Sequence, residues 1–399
     1  MAHIMIVAGE SSGELYGSLL AKALKSKWPD VHIMGVGGEK MSEAGVELIS
    51  SISDAFGLTE AISAFSKIKA AFNKTVEALK QCKPAVLVLI DYPDFNLKVA
   101  KLARSLGIKI LYYVSPQVWA WRKGRVKKIA GLVDRMAVIL PFEEEIYRNA
   151  GMPCEFIGHP VLEEIESVLG SSKDFGVQGS EFSKEHRSLF KAAIGLEPGR
   201  PLLSLLPGSR PSELKRHLPL IIEFIARFKR EPIISGKDYG FCMPLAANTD
   251  ETRYHSYLET LKQEGVVIKK GESVKVLAAS DLAVVASGTA TLQTAFLEVP
   301  MVVVYKLAPL TYQIGKRIIK VKHISLANIL SGREVVQELL QDMANPGEIV
   351  KELKKIITDT KYREDMLHCY RNIKEPFSGK KPSQRAAEIV IEMAGEAHS

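Results

Sequence analysis

Short apolar runs punctuate the chain at regular intervals, each followed by a stretch with helical spacing. HIMIVA (3–8) leads into an amphipathic stretch ending near Lys27, and HIMGVG (32–37) comes next. A helical pattern over about 60–80 precedes AVLVLID (85–91), and another near 96–106 precedes KILYYVS (109–115). A basic helix near 123–131 separates that run from RMAVIL (135–140), and EFIGHP (155–160) closes the series. Runs this apolar are buried on both faces, and the helical spacers between them make the sheet parallel. From about Leu169 to Arg200 the rhythm breaks: GSSKDFGVQGSEFSKEH is polar and rich in glycine and serine, which reads as a linker or surface insertion. It resumes with LLSLLPGSR (202–210), a helix to about Lys229, a run near 241–246, VVIKKG (266–271), LAVVAS (282–287) and MVVVYK (301–306). The pattern predicts an α/β protein of two Rossmann-like doubly wound domains, 1–168 and 201–370, facing across a cleft and joined by 169–200. The last segment, 371–399, contains PSQRAAEIVIEMAG and reads as a closing helix. In such sheets ligands sit outside the carboxyl ends of the strands.

Composition narrows this only slightly. A chain of 399 residues is too long for one small core, and 46% apolar with 25% charged residues is ordinary for a soluble globular protein. The net charge of +7 favours an anionic partner. The four cysteines, Cys82, Cys154, Cys242 and Cys369, form no CxxC pair, so neither zinc nor a disulfide framework is expected, and a reducing cytoplasm is the simplest compartment. MAHIMIVAGESSG lacks the basic and apolar regions of a signal peptide. Runs such as AVLVLI fall far short of the ~20 residues that cross a bilayer, so any membrane is met from the side.

Chemistry collects at the ends of the apolar runs. VAGESSGELYG has the strand–glycine–helix context of a phosphate loop without GxGxxG or GK[ST] spacing, and Glu10 and Glu14 compete with phosphate there. Either it is a tight turn with acidic capping, or its glycines admit a sugar whose hydroxyls Glu10 accepts. LIDYPDFN ends an apolar strand with Asp91, a carboxylate placed to act as a general base, while Asp94 suits the cap of the next helix. LLPGSRPSE sets Gly208, Ser209 and Arg210 at a helix start, and VVASGTATLQTAF does the same with Ser287, Gly288 and Thr289. Free amides and a guanidinium at helix starts suit a diphosphate.

The stretch YYVSPQVWAWRKGRVKKI (112–129) holds Trp119 and Trp121, followed by Arg122, Lys123, Arg125, Lys127 and Lys128. A loop here would set an indole against a sugar or acyl face, with Arg122 and Arg125 reaching a phosphate; the alternative is that the indoles fill the core. The chain lacks a nucleic-acid recognition motif or a longer basic stripe, so nucleic acid is not an expected partner. In 55–80, Leu58, Ile62, Phe65, Ile68, Phe72, Val76 and Leu79 recur on one helical face with lysines interspersed. That face either packs on the sheet or meets a lipid surface.

Together VAGESSGELYG, IDYPDFN, YYVSPQVWAWRKGRVKKI, FIGHPV, LLPGSR, ASGTATLQTAFLEVPMVVVYK and SLANILSGREVVQELLQ resemble the lipid-A-disaccharide synthase family, from about Ile4 to Leu340. SPQVWAWR is the most specific of these; the glycine loops suit many GT-B glycosyltransferases. The resemblance implies a GT-B fold and an inverting transfer of 2,3-diacylglucosamine from its UDP ester to 2,3-diacylglucosamine 1-phosphate (lipid X). It implies a β(1→6) product, UDP release, and work as a peripheral protein on an anionic surface at the inner face of the cytoplasmic membrane. By position it makes Asp91 catalytic and sets Arg210 at the UDP; on the chemistry of the residues, Glu10 and His159 are the alternative bases. It places Glu10, Ser11, Gly13, Asp94, Asn96, Ser115, Gln117, Trp119, Arg122, Arg125 and His159 around the acceptor. Gly208, Ser209, Arg210, Ser287, Gly288, Thr289, Gln293, Asn328 and Arg333 fall to the UDP donor. Gln293 departs from the glutamate that GT-B enzymes often place at the ribose. The chain has no DxD triplet, so no metal and no cofactor is expected. The rival readings are a UDP-GlcNAc 2-epimerase, a peptidoglycan-type GlcNAc transferase, or a non-catalytic nucleotide-sugar-binding scaffold; a homodimer is left open.

Overall fold

The structure is a computed structural model that describes residues 2–9, 11–51, 61–117, 124–170, 184–231, 238–309, 312–313 and 322–396. It divides into two compact units, the first made of Met1–Pro160 with Gly379–Ser399 and the second of Val161–Ser378.

In the first unit the chain runs β1 (His3–Ala8), α1 (Ser11–Lys27), β2 (His32–Gly37), α2 (Glu39–Glu43), β3 (Glu47–Ser51), α3 (Ala61–Cys82) and β4 (Val86–Ile90). It continues through α4 (Pro93–Ser105), β5 (Lys109–Tyr113), α5 (Arg125–Ala130), β6 (Arg135–Val138), α6 (Glu143–Arg148) and β7 (Cys154–Phe156). The sheet is parallel, in the order β3-β2-β1-β4-β5-β6-β7. Every residue of β4 is buried, as a strand covered by helices on both faces requires. One face carries Met5, Val7, Leu87, Leu89, Ile110 and Tyr112 against Ala71 and Leu79 of α3 and Phe95, Val99 and Ala103 of α4. The described part of the apolar face of α3 is therefore core, with Ile68 and Phe72 packed against it. Leu58 and the side chains of Ile62 and Phe65 lie outside the described residues.

Beyond the second unit the chain ends in a helix that belongs to the first. This last helix (Pro382–Glu396) packs on α1 and over β4 and β5. Its Arg385 grips Glu155 with two bonds of 2.8 and 2.9 Å, while Arg135 reaches Glu392 at 2.6 Å and Lys27 reaches Glu388 at 2.9 Å.

The second unit takes up α7 (Pro160–Leu169) from Val161 onward, then α8 (Lys184–Ala193), β8 (Leu202–Leu206), α9 (Pro211–Phe228), β9 (Gly240–Leu245) and α10 (His255–Gln263). There follow β10 (Val266–Lys270), α11 (Ser273–Ala279), β11 (Leu282–Ala286), α12 (Thr289–Phe296), β12 (Met301–Tyr305) and α13 (Leu326–Ser331). After β13 (Glu338–Leu340) come α14 (Pro346–Thr358) and α15 (Thr360–Lys374), which makes the closing helix α16. The second sheet is also parallel, in the order β10-β9-β8-β11-β12-β13.

Part of the segment that reads as linker is ordered helix. In α8, the buried Arg187 donates to the carbonyls of Ser280 and Glu298, and the buried Lys191 pairs with Asp281 at 2.8 Å. Asp281 also accepts from the Leu202 amide at 2.8 Å, so α8 is tied to the starts of β8 and β11.

Candidate active site

Each sheet reverses its strand order once: between β1 and β4 in the first unit, and between β8 and β11 in the second. Ligands of doubly wound proteins sit at the carboxyl ends of the strands at such switch points. The turns after these four strands begin at Gly9, Asp91, Pro207 and Ser287, within the segments whose sequences carry the unusual chemistry.

In the first unit, the turn out of β4 is made by two consecutive non-glycine residues in the left-handed region, Asp91 (φ 48°) and Tyr92 (φ 40°). Pro93 then opens α4, so the chain must change direction within those two residues. Such conformations cost about 1–3 kcal/mol each and persist only where neighbours over-determine them. The neighbours are identifiable. Asn96 Nδ2 donates to Asp91 O at 2.8 Å and to Ile90 O at 3.1 Å, and the Tyr112 hydroxyl donates to Asp91 O at 2.6 Å. The Asp91 amide donates to Val114 O at 3.2 Å, and Val114 is itself left-handed at φ 68°, a rare state for a β-branched residue. Burial first, and the nearby Asp91 charge second, push the Tyr112 phenol well above its usual pKa, so it remains a donor. The β1 loop closes against this turn, because a Cβ on Gly9 would lie 2.5 Å from Tyr92 Cβ and Cγ.

The remaining first-unit residues divide between this turn and the core. Asp94 lies in the first turn of α4 and pairs with Arg125 at 2.8 Å, which brings the head of α5 to the Asp91 turn. Glu14 caps a different helix from its own, accepting from the Lys40 amide in α2 at 2.9 Å. Gly13 sits in the first turn of α1, where a Cβ would lie 3.5 Å from Ile90 Cγ2, and Ser11 begins that helix. Asn96 is fully buried and serves the Asp91 backbone, so it is a support and not a surface that a ligand touches. Ser115 is buried and shares a 2.7 Å hydrogen bond with the Tyr147 hydroxyl, while Gln117 is exposed. His159 lies edge-on to Tyr16, and burial pushes its pKa down to about 3, which makes it a poor base. Glu10, Trp119, Trp121 and Arg122 lie outside the described residues.

In the second unit, Gly208 is left-handed at φ 99°, and a Cβ there would fall 2.3 Å from Glu213 Oε2. That carboxylate accepts from the amides of Ser209 and Arg210 at 3.1 and 3.2 Å, and its other oxygen lies 3.5 Å from the Arg210 guanidinium. The loop amides expected to await a diphosphate are thus held by Glu213. His217, one turn on, takes a fixed tautomer: Lys306 N–H donates to Nε2 at 3.0 Å, so the proton sits on Nδ1 and is given to Pro207 O at 2.7 Å. Burial lowers its pKa, keeping the ring neutral as a pin between the loops after β8 and β12.

The second loop is built to leave its backbone open. Gly288 has φ 150° and ψ −160°, a glycine conformation, and nothing lies within 4 Å of where its Cβ would be. Ser287 donates to Ile324 O at 2.9 Å, Thr289 opens α12, and Thr291 donates to Gly288 O at 2.7 Å. Asn328 is fully buried with its amide consumed by Val335, Val336 and Glu338, which places it beneath this loop as scaffold. Arg333 is exposed and directs one nitrogen to Cys369 Sγ at 2.7 Å. Gln293 donates to Glu164 at 2.6 Å.

The sequence reading missed Glu213, His217, Tyr112 and Glu164. Only Glu213 left a signal, standing three residues after Arg210 at capping-box spacing.

Comparison with known proteins places this architecture. The UDP-GlcNAc 2-epimerase from Neisseria meningitidis bound to UDP-GlcNAc superposes with a TM-score of 0.65 at 11% identity, covering 99% of this chain and 100% of that one. The Methanocaldococcus jannaschii UDP-GlcNAc 2-epimerase in complex with UDP-GlcNAc and UDP gives 0.62 at 15%, covering 98% and 100%. The glycotransferase of kitacinnamycin gives 0.58 at 15%, covering 98% of each chain. At such identities the likeness establishes the fold alone, and that fold is GT-B. Sequence relatives go further. The lipid-A-disaccharide synthase of Trichlorobacter lovleyi is 38% identical over 392 residues, 98% of this chain and 97% of that protein. That of Nitrosococcus oceani is 40% identical over 393 residues, 98% and 96%. A sequence model described as Lipid-A-disaccharide synthetase matches residues 4–390. The chain belongs to the lipid-A-disaccharide synthetase family and is a glycosyltransferase of lipid A disaccharide synthesis.

Proposed function

We propose that the protein transfers 2,3-diacylglucosamine from its UDP ester to the 6-hydroxyl of 2,3-diacylglucosamine 1-phosphate, giving the β(1→6) disaccharide 1-phosphate and UDP. The observation that carries the mechanism is the over-determined left-handed turn presenting Asp91 at the switch point of the first sheet. Inversion at the anomeric carbon takes one in-line displacement, in which a base removes the acceptor proton as UDP leaves from the opposite face. Asp91 is that base. Asp91 is partly exposed at the strand end while the His159 ring is buried against Tyr16, which favours the aspartate over the histidine.

The UDP leaving group falls to the second unit, at the loops of Gly208–Arg210 and Ser287–Thr289. The open backbone at Gly288 suits close approach by a phosphate, and helix-start amides with Arg210 stabilise the charge that develops there. Diphosphate entry at the first loop requires it to share or displace the grip of Glu213 on the Ser209 and Arg210 amides. Acylated substrates bring the enzyme to the inner face of the cytoplasmic membrane as a peripheral protein. The charge of +7 and the exposed Lys67, Lys69 and Lys74 of α3 support that reading. Among the described residues no helix is long and apolar enough to cross a membrane.

Incubating the protein with UDP-2,3-diacylglucosamine and the 1-phosphate acceptor should yield UDP and a disaccharide whose anomeric coupling is β. Epimerisation of UDP-GlcNAc without lipid, and no disaccharide, would overturn the reading. Vesicles containing anionic lipid should retain the protein at low salt and release it as salt rises.

A further inference from the structure

Position 293 carries an amide where the GT-B resemblance leads to a carboxylate, and the structure supplies the carboxylate from elsewhere. Gln293, buried one turn inside α12, donates through Nε2 to Glu164 Oε2 on α7 at 2.6 Å. Both residues lie in the second unit. An ionised carboxylate only accepts, so the amide nitrogen must face Glu164 and the carbonyl oxygen must face away from it. The distance is that of a short, charge-assisted bond. A glutamine without such a partner can turn either end outward; with Glu164 it presents an oxygen, as a glutamate would. The helix bearing Glu164 is held independently by the buried Val161, Leu162, Ile165 and Leu169, so the polar pair is not needed to dock it.

We propose that Glu164 is a positioning residue for the donor: it orients the Gln293 amide so that its carbonyl oxygen accepts from the sugar hydroxyls of the uridine nucleotide. A vicinal diol offers donors, and an oriented acceptor one turn below Gly288 and Thr289 at the β8/β11 switch point matches them. The inference rests on the reading of the second unit as the UDP-sugar site.

The test is calorimetric titration with UDP, beside steady-state kinetics on both lipid substrates, for E164A, E164Q, Q293A and the reciprocal pair E164Q/Q293E. E164A is expected to weaken UDP and raise the donor KM by about tenfold each, the loss of one hydrogen bond to a charged group, with kcat and acceptor KM within about twofold. E164Q still offers an oxygen to Nε2 and should stay near wild type, and the reciprocal pair, which reverses donor and acceptor, should recover UDP affinity. Wild-type UDP affinity in E164A with a weakened Q293A would overturn the role of Glu164 and leave the donor site standing. Unchanged affinity in both variants would overturn the donor-site reading with it. A lowered thermal midpoint in E164A, with kcat and both KM values disturbed together, would assign the pair to folding and also overturn the inference.

Discussion

Asp91 tolerates left-handed backbone better than Tyr92 beside it, and the residues enforcing this double turn are more informative than the carboxylate alone. Two adjacent left-handed turns are held by the Asn96 amide, the Tyr112 hydroxyl and the Val114 carbonyl. Tyr112→Phe removes a single hydroxyl from a buried position. It should lower kcat about tenfold, the worth of one hydrogen bond of roughly 1–1.5 kcal/mol, with both KM values unchanged in steady-state kinetics. Undiminished kcat would show that the turn does not depend on it. Gly9→Ala drives a methyl into Tyr92 Cβ and Cγ, which should cost about 1–3 kcal/mol in urea unfolding, and Tyr92→Gly in the same chain, which removes both atoms, should return most of that loss. Asp91 was legible in the sequence because it ends a wholly apolar strand. Tyr112 was not: it reads as one more buried strand residue until the register Leu89↔Tyr112 and Ile90↔Tyr113 lays its hydroxyl beside the turn.

Among the elements, those that declared themselves are the strands buried on both faces, whose apolar runs match the observed strands to within a residue or two at most ends. The ones that did not are edge strands. β3 (ELISS) and β13 (ELL) are short outermost strands whose polar residues leave no continuous apolar run, whereas the other two edges, β7 and β10, are marked by EFIGHP and VVIKKG. α8 escaped for a different reason: its docking groups are Arg187 and Lys191, and a charged segment beside a glycine- and serine-rich one reads as linker. Lys191→Met tests how far that helix supports the second unit. It leaves Asp281, partly exposed, without its cation, and should lower the free energy of unfolding by about 2–3 kcal/mol in urea titration.

At the scale of the whole molecule, both units bury a neutral histidine, His159 in the first and His217 in the second. Each has a folded pKa below its unfolded value, so its contribution is complete above about 6.5 and is lost as pH falls, for His159 down to about 3. The slope from His159 alone is at most about 1.4 kcal/mol per pH unit. Thermal midpoints should therefore decline from pH 6.5 downward, and His159→Gln should flatten the curve. The family relationship spans both units, and the proposed transfer chemistry rests on one carboxylate of the first. The decisive measurement is turnover of UDP-2,3-diacylglucosamine with the 1-phosphate acceptor by Asp91→Asn, alongside its affinity for UDP. A general base contributes about 10²–10⁴-fold, so kcat should fall by that factor while UDP binds as in the wild type; near-normal turnover by Asp91→Asn would contradict the account.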